Sequence, residues 1–139
     1  MRSFFKKNSA TPESDSDTVK TILVVDDSPT ETHVIKRIVE EGGYSVITAE
    51  DGESGIAEAK QLHPDVILMD VVMPGLNGFQ ATRQLTRAPE TKDIPVILVT
   101  TKDQETDKAW GMRQGARDYV VKPVTSVDLL QKIKSVLES

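Results

Sequence analysis

Apolar residues in this chain come in short runs of consecutive positions, and between the runs they thin out to every third or fourth residue. The runs are Ile22-Leu23-Val24-Val25, Ser45-Val46-Ile47-Thr48, Val66-Ile67-Leu68-Met69, Val96-Ile97-Leu98-Val99 and Tyr119-Val120-Val121. A strand with one wet face alternates apolar with polar residues, whereas a parallel strand covered on both faces is apolar throughout. Most of these runs are of the second kind and rich in Val and Ile, and they predict five parallel strands. The gaps read as helices. Ser28-Pro29-Thr30-Glu31 offers an N-cap, a proline at the first helical position and a glutamate three residues after the cap. That helix carries an apolar face of Val34, Ile35, Ile38 and Val39 and ends at Gly42-Gly43. A second runs from about Glu53 to Leu62 and stops before Pro64, and a third follows Asn77 with Phe79 and Leu85. The fourth spans Gln104 to Arg113 and closes at Gly115; the last starts near Ser126 and buries Leu129, Leu130, Ile133, Val136 and Leu137. Strand and helix alternating five times predict an α/β fold, an open five-stranded parallel sheet with helices on both faces.

Residues 1–20 lack sustained periodicity and read as a flexible N-terminal tail ahead of a domain over 21–139. Phe4-Phe5-Lys6-Lys7 interrupts that pattern and is the tail's one candidate docking peptide. At 139 residues the chain suits a single hydrophobic core. A net charge of −5 and a pI near 5.0 argue against a nucleic-acid surface, which needs a basic patch. Without cysteine there is neither a disulfide framework nor a thiolate metal site. No apolar run approaches the roughly 18 residues of a membrane span. These features lead us to expect a cytoplasmic protein.

The chemistry gathers at strand ends. In open parallel sheets, ligands bind beyond the carboxyl ends of the strands, near the point where strand order reverses. Asp26 and Asp27 follow the first strand, Asp70 the third, Thr100 the fourth and Lys122 the fifth. Singly these could be turn residues, a cap, a strand hydroxyl and a solvated charge. Together they would place three carboxylates and one ammonium in one crevice. Two like charges about 4 Å apart repel by roughly 4 kcal/mol at an effective dielectric near 20, and one lysine cannot cancel three carboxylates. A cation is implied, and hard oxygen ligands suit Mg²⁺. A carboxylate beside a metal and a lysine can attack phosphorus to give an aspartyl phosphate. Asp70 is the candidate nucleophile, and Pro74-Gly75 would bend the next loop clear of it.

Asp26-Asp27, Asp70 followed by Met73-Pro74-Gly75 and Asn77-Gly78, Thr100, and Lys122-Pro123 resemble the motif set of the response-regulator receiver domain, the CheY-like family, over Thr21 to Ser139. Within it, the segments MPGLNGFQATRQLTR, VTTKDQETDKAWGMRQGARDY and VKPV are similar to the stand-alone receiver of the chemosensory pathway that governs type IV pili and twitching motility. The resemblance implies a flavodoxin-like (βα)5 fold and Mg²⁺ bound by Asp27 and Asp70, with Asp26 acting through water. It further implies the backbone carbonyl of Val72 as a ligand and a cis Lys122-Pro123 peptide. Thr100 would bond the phosphoryl oxygen while Tyr119 moves into the space Thr100 vacates, a switch of the bistable kind. The implied phosphodonor is a CheA-type histidine kinase. An output protein would dock at the fourth helix, fifth strand and fifth helix, where Trp110 lies. The implied protein is a monomeric switch rather than an enzyme. A flagellar chemotaxis regulator and a phosphate sink in another pathway are the alternatives.

Other readings fit the residues less well. A dehalogenase-type phosphatase wants Asp-x-Asp, whereas Asp70 is followed by Val71-Val72. A flavodoxin-like cofactor module needs a first loop that welcomes phosphate, which Asp26-Asp27 repels. A transcription factor would need a DNA-binding domain in addition. His33 and His63 fall on helices away from the strand ends and read as bystanders. Gln131, Lys132, Lys134 and Glu138 read as the solvated face of the last helix.

Overall fold

The computed structural model describes residues 18–139. Its elements alternate along the chain: β1 (Thr21–Val25), α1 (Pro29–Glu41), β2 (Ser45–Ala49), α2 (Gly52–Leu62), β3 (Val66–Met69), α3 (Gly78–Arg87), β4 (Val96–Thr100), α4 (Glu105–Arg113), β5 (Asp118–Val121) and α5 (Ser126–Glu138). The strands form one parallel sheet in the order β2-β1-β3-β4-β5. From β1 the chain steps outward to β2, then returns past β1 and builds in the other direction. The switch point therefore lies between β1 and β3, where Val25 pairs with Met69 and the next residues are Asp26 and Asp70.

Side chains of the central strands alternate between two cores, because successive Cβ atoms leave a strand on opposite faces. Leu23, Val25, Ile67, Met69 and Leu98 pack on one side with Ala59 of α2 and Phe79 and Leu85 of α3. Ile22, Val24, Leu68, Ile97 and Val120 pack on the other with Ile35 and Val39 of α1 and Leu129 and Ile133 of α5. This explains the unbroken apolar runs of β1, β3 and β4: each face has a helical layer to meet. At the sheet edge β2 is only partly buried until Ala49.

The elements stand where the hydrophobic pattern predicts, with most strands one residue longer. Two details differ. Val34 does not belong to the buried face of α1; it is 43% exposed, because Ile35, Ile38 and Val39 alone form the stripe that meets sheet and α5. In α5 only Leu129 and Ile133 are fully covered, and Leu130, Val136 and Leu137 lie half-buried at the edges of the stripe. The solvated-face reading holds for Gln131, Lys134 and Glu138, while Lys132 lies partly covered and pairs with Asp128 at 2.9 Å. The expectations for residues 1–17, including Phe4-Phe5-Lys6-Lys7, lie outside the described residues. Lys20 is already tied to the sheet, its carbonyl accepting from the Ser45 N–H at 2.9 Å.

Candidate functional site

Three strand ends and two helix starts build the site. Asp26 leaves β1 with its N–H donating to the Ala49 carbonyl (3.1 Å), and Asp70 leaves β3 with its N–H donating to the Val25 carbonyl (2.9 Å). Both residues continue their strands by one ladder bond. Asp26 is 3% and Asp70 7% exposed, whereas Asp27 stands in solvent. One carboxylate oxygen from each of the three lies within 4.8 Å of the others, a grouping suited to one cation. Neither histidine belongs to it, and both are exposed.

Lys122, at the end of β5, reaches into this group. Its Nζ donates to Asp26 Oδ2 at 2.8 Å and stands 3.6 Å from Asp70 Oδ2. The preceding strand register, Thr100 opposite Val121, and the Lys122 N–H on the Thr100 carbonyl (2.9 Å) hold it there. The Lys122-Pro123 peptide is cis. Asp26 accepts one hydrogen bond on each oxygen, from the Ser28 N–H on Oδ1 at 2.9 Å and from the lysine on Oδ2.

Burial pushes the Asp70 carboxyl above the usual carboxylate range, and Asp26 adds to the push. Lys122 and the backbone N–H groups of Val71 and Val72 work against it, the Val71 N–H donating to Oδ1 at 2.8 Å. Burial alone would lower the Lys122 ammonium; its hydrogen bond to Asp26 and the fields of Asp70, Asp26 and Glu31 outweigh that and leave it raised. One ammonium among several carboxylates is thus held charged, and the carboxylates retain an excess of negative charge. The donor set and this imbalance fit a hard divalent cation.

Two glycines shape the loop after Asp70. Gly75 has φ +74°, the left-handed region that favours glycine, and turns the chain after Pro74. Gly78 opens α3 so close to the end of β3 that a Cβ there would lie 2.0 Å from the Asp70 carbonyl oxygen. Asn77 and Gln80 complete a reciprocal cap, each side-chain oxygen accepting from the other's N–H at 2.9 Å. Val72 is exposed and lines a shallow cleft with Met73, Asn77, Phe79 and Lys102.

Thr100 and Tyr119 meet on one residue. Thr100 Oγ1 accepts from the Lys102 N–H at 3.3 Å, and the Tyr119 hydroxyl donates to the Lys102 carbonyl at 2.8 Å. Thr100 is fully buried and Tyr119 nearly so. Burial, with Asp107, Asp103 and Asp70 nearby, pushes the Tyr119 phenol up to about 12. Gly111 of α4 lets the helix pack close to Leu98 and the ring, since a Cβ there would come 2.5 Å from Leu98 Cδ1 and 3.3 Å from the ring. Trp110 is 45% exposed on α4, with the Arg113 guanidinium 5.9 Å from its ring centroid.

The Glu31 side chain lies away from the helix cap that its spacing in the sequence suggests. Ser28 caps α1 by accepting from the Glu31 N–H (3.3 Å), but Glu31 does not return the bond, because the Ser28 N–H is already taken by Asp26. The Glu31 carboxylate instead lies 3.9 Å from Lys122 Nζ. The two are distant in sequence, and the Ser-x-x-Glu spacing pointed to the cap.

The chain belongs to the response-regulator receiver family: the model of the response regulator receiver domain matches residues 22–134. It is 63% identical over 116 residues to Protein PilH of Pseudomonas aeruginosa, covering 84% of this chain and 96% of that protein. The fold is shared with chemotaxis response regulator CheY4 of Vibrio cholerae (TM-score 0.80, 32% identity, 86% of this chain and 99% of that one). It is also shared with the receiver domain of sensor histidine kinase PA1611 from Pseudomonas aeruginosa (TM-score 0.81, 29% identity, 88% of this chain and 100% of that one). That structure carries a magnesium ion coordinated in its active-site cleft. Among the described residues of the present chain, no helix is long and apolar enough to cross a membrane.

Proposed function

We propose that the protein is a phosphorylation-controlled switch whose Asp70 takes a phosphoryl group from the phosphohistidine of a CheA-type histidine kinase, with Mg²⁺ as cofactor, in the control of type IV pilus twitching motility. The observation that carries this reading is the convergence of Asp26, Asp27, Asp70 and Lys122 at the switch point of the sheet. The likeness to PilH supports the choice of pathway.

The chain's own residues would divide the work as follows. Asp70 supplies the nucleophile: as one of its oxygens bonds to phosphorus, the phosphorus–nitrogen bond of the donor breaks and the imidazole keeps the electron pair. The Val71 N–H on Oδ1 fixes the orientation of the carboxylate before donor arrives. Burial strips the carboxylate of much of its hydration, so little water must be displaced. Lys122, already charged and 3.6 Å away, meets the incoming phosphoryl oxygens. Mg²⁺, held by Asp27 and Asp70, by Asp26 through water and by the Val72 carbonyl, would neutralise charge on the transferring group.

The output would run through Lys102. When Thr100 turns its hydroxyl to the phosphoryl group, it gives up the Lys102 N–H, and the backbone that anchors the Tyr119 hydroxyl is released to shift. Changing the surface of α4, β5 and α5 around Trp110 then alters the docking of an output protein. In this reading the protein is a cytoplasmic monomer and accepts a group rather than turning over a diffusible substrate. Replacing Asp70 by Asn is expected to abolish labelling by a phosphorylated CheA-type kinase and to leave twitching unresponsive to that kinase. A variant that still took the label, or still supported regulated twitching, would overturn the proposal.

A further inference from the structure

Glu31 is left over from the helix cap and is not one of the clustered carboxylates. Its Oε1 lies 3.9 Å from Lys122 Nζ, and its side chain is 44% exposed, whereas the other two carboxylates beside Lys122 are buried. It sits in the first turn of α1, where the helix dipole favours an anion. Lys122 is thereby held by three carboxylates, at 2.8, 3.6 and 3.9 Å, and the third is the one at the solvent side. Any phosphodonor must approach Asp70 and draw on Lys122 within reach of that charge.

We infer that Glu31 is a positioning residue that selects the phosphodonor by charge, restraining Lys122 and disfavouring donors that carry more negative charge into the site. The inference rests on the proposed receiver chemistry. Because Glu31 is half-exposed, its field acts through a nearly water-like dielectric. At about 6 Å and a dielectric near 80, removing one negative charge should speed attack on a dianionic donor about tenfold and on a monoanionic donor about threefold. Salt should blunt the difference, since exposed charges are screened. A protein kinase delivers its phosphohistidine in a docked complex whose contacts can outweigh this barrier, so the arrangement favours the partner over free acyl phosphates.

The test compares wild type, Glu31→Gln and Glu31→Lys, with acetyl phosphate as dianionic donor and phosphoramidate as monoanionic donor, by the time course of intact mass in Mg²⁺. Glu31→Gln should gain about tenfold with acetyl phosphate and about threefold with phosphoramidate, and Glu31→Lys should gain more in the same order. The same field attracts a divalent cation, so thermal stability as a function of Mg²⁺ should report at most about tenfold weaker metal affinity for Glu31→Gln, and the donors are compared at saturating Mg²⁺. Equal gains with both donors, or none, would overturn the inference while leaving the receiver reading intact. A fall in Mg²⁺ affinity far beyond about tenfold would also overturn it, by making Glu31 a ligand of the cation. No adduct on wild type with either donor would overturn both.

Discussion

Replacing Gly78 by alanine tests how tightly the phosphoacceptor loop is built. The added Cβ would sit 2.0 Å from the Asp70 carbonyl oxygen, 2.7 Å from Val71 Cα and 2.8 Å from the Asp70 carbonyl carbon. All three are backbone atoms, so no rotamer change can relieve the contact. Restoring an ordinary separation needs a displacement of roughly 1 Å between the end of β3 and the start of α3. Both are pinned. The Asp70 N–H is bonded to Val25, the Gly78 N–H to the Val71 carbonyl at 2.9 Å, and Asn77 and Gln80 lock the helix start. Over-packing costs about 1–3 kcal/mol or more, and alanine recovers less than about 1 kcal/mol of helix preference at a first-turn position. The expected net loss is about 2 kcal/mol, read as a urea midpoint lower by about 1 M. A displaced Asp70 should also be phosphorylated far more slowly, by as much as about 100-fold for a 1 Å misplacement. Gly43→Ala is the control. It has open space around its Cβ but φ +96°, so it should lose about 1–2 kcal/mol through conformation alone and keep its phosphorylation rate. A Gly78→Ala protein with wild-type stability and rate would refute the packing argument.

Lys122→Met would leave buried Asp26 with only the Ser28 N–H and Asp70 without its nearest cation. Urea denaturation should show a loss of about 3 kcal/mol at neutral pH, smaller with Mg²⁺ or in mild acid where a carboxylate can protonate; an unchanged midpoint would contradict the pairing. For Tyr119 the sign runs toward alkali. The fold holds the phenol proton up to about 12 against 10.0 for the free group, so stability from this group is intact below pH 10 and declines as pH rises toward 12. The ultraviolet titration of phenolate in the folded protein should lose its most alkaline component in Tyr119→Phe, and a component near pH 10 lost instead would contradict the burial argument.

How much of this was legible in the sequence depends on what kind of signal each residue carries. Consecutive apolar residues in β1, β3 and β4 report burial on both faces directly, and the caps at Ser28 and Asn77 mark helix starts through local hydrogen bonds. The convergence of Asp26, Asp27, Asp70 and Lys122 followed from topology, since parallel strands bring their carboxyl ends to one edge. What the sequence hid is set by contacts between distant segments. Val34 looks as apolar as Ile35, and only the placement of α5 decides which is covered. Glu31 has the spacing of a capping residue, yet Asp26 takes the Ser28 N–H and leaves the carboxylate to Lys122. Gly78 is one of eight glycines, and nothing in its neighbours reveals that the backbone of Asp70 and Val71 stands where a Cβ would go.

The central claim is that Asp70 accepts phosphate with a divalent cation. Its most direct measurement is the intact mass after incubation with acetyl phosphate and Mg²⁺, beside an EDTA control and Asp70→Asn. A single phosphoryl adduct on wild type, absent with EDTA and absent in Asp70→Asn, is the expected result. An adduct that persists in Asp70→Asn, or forms equally well in EDTA, would contradict the account.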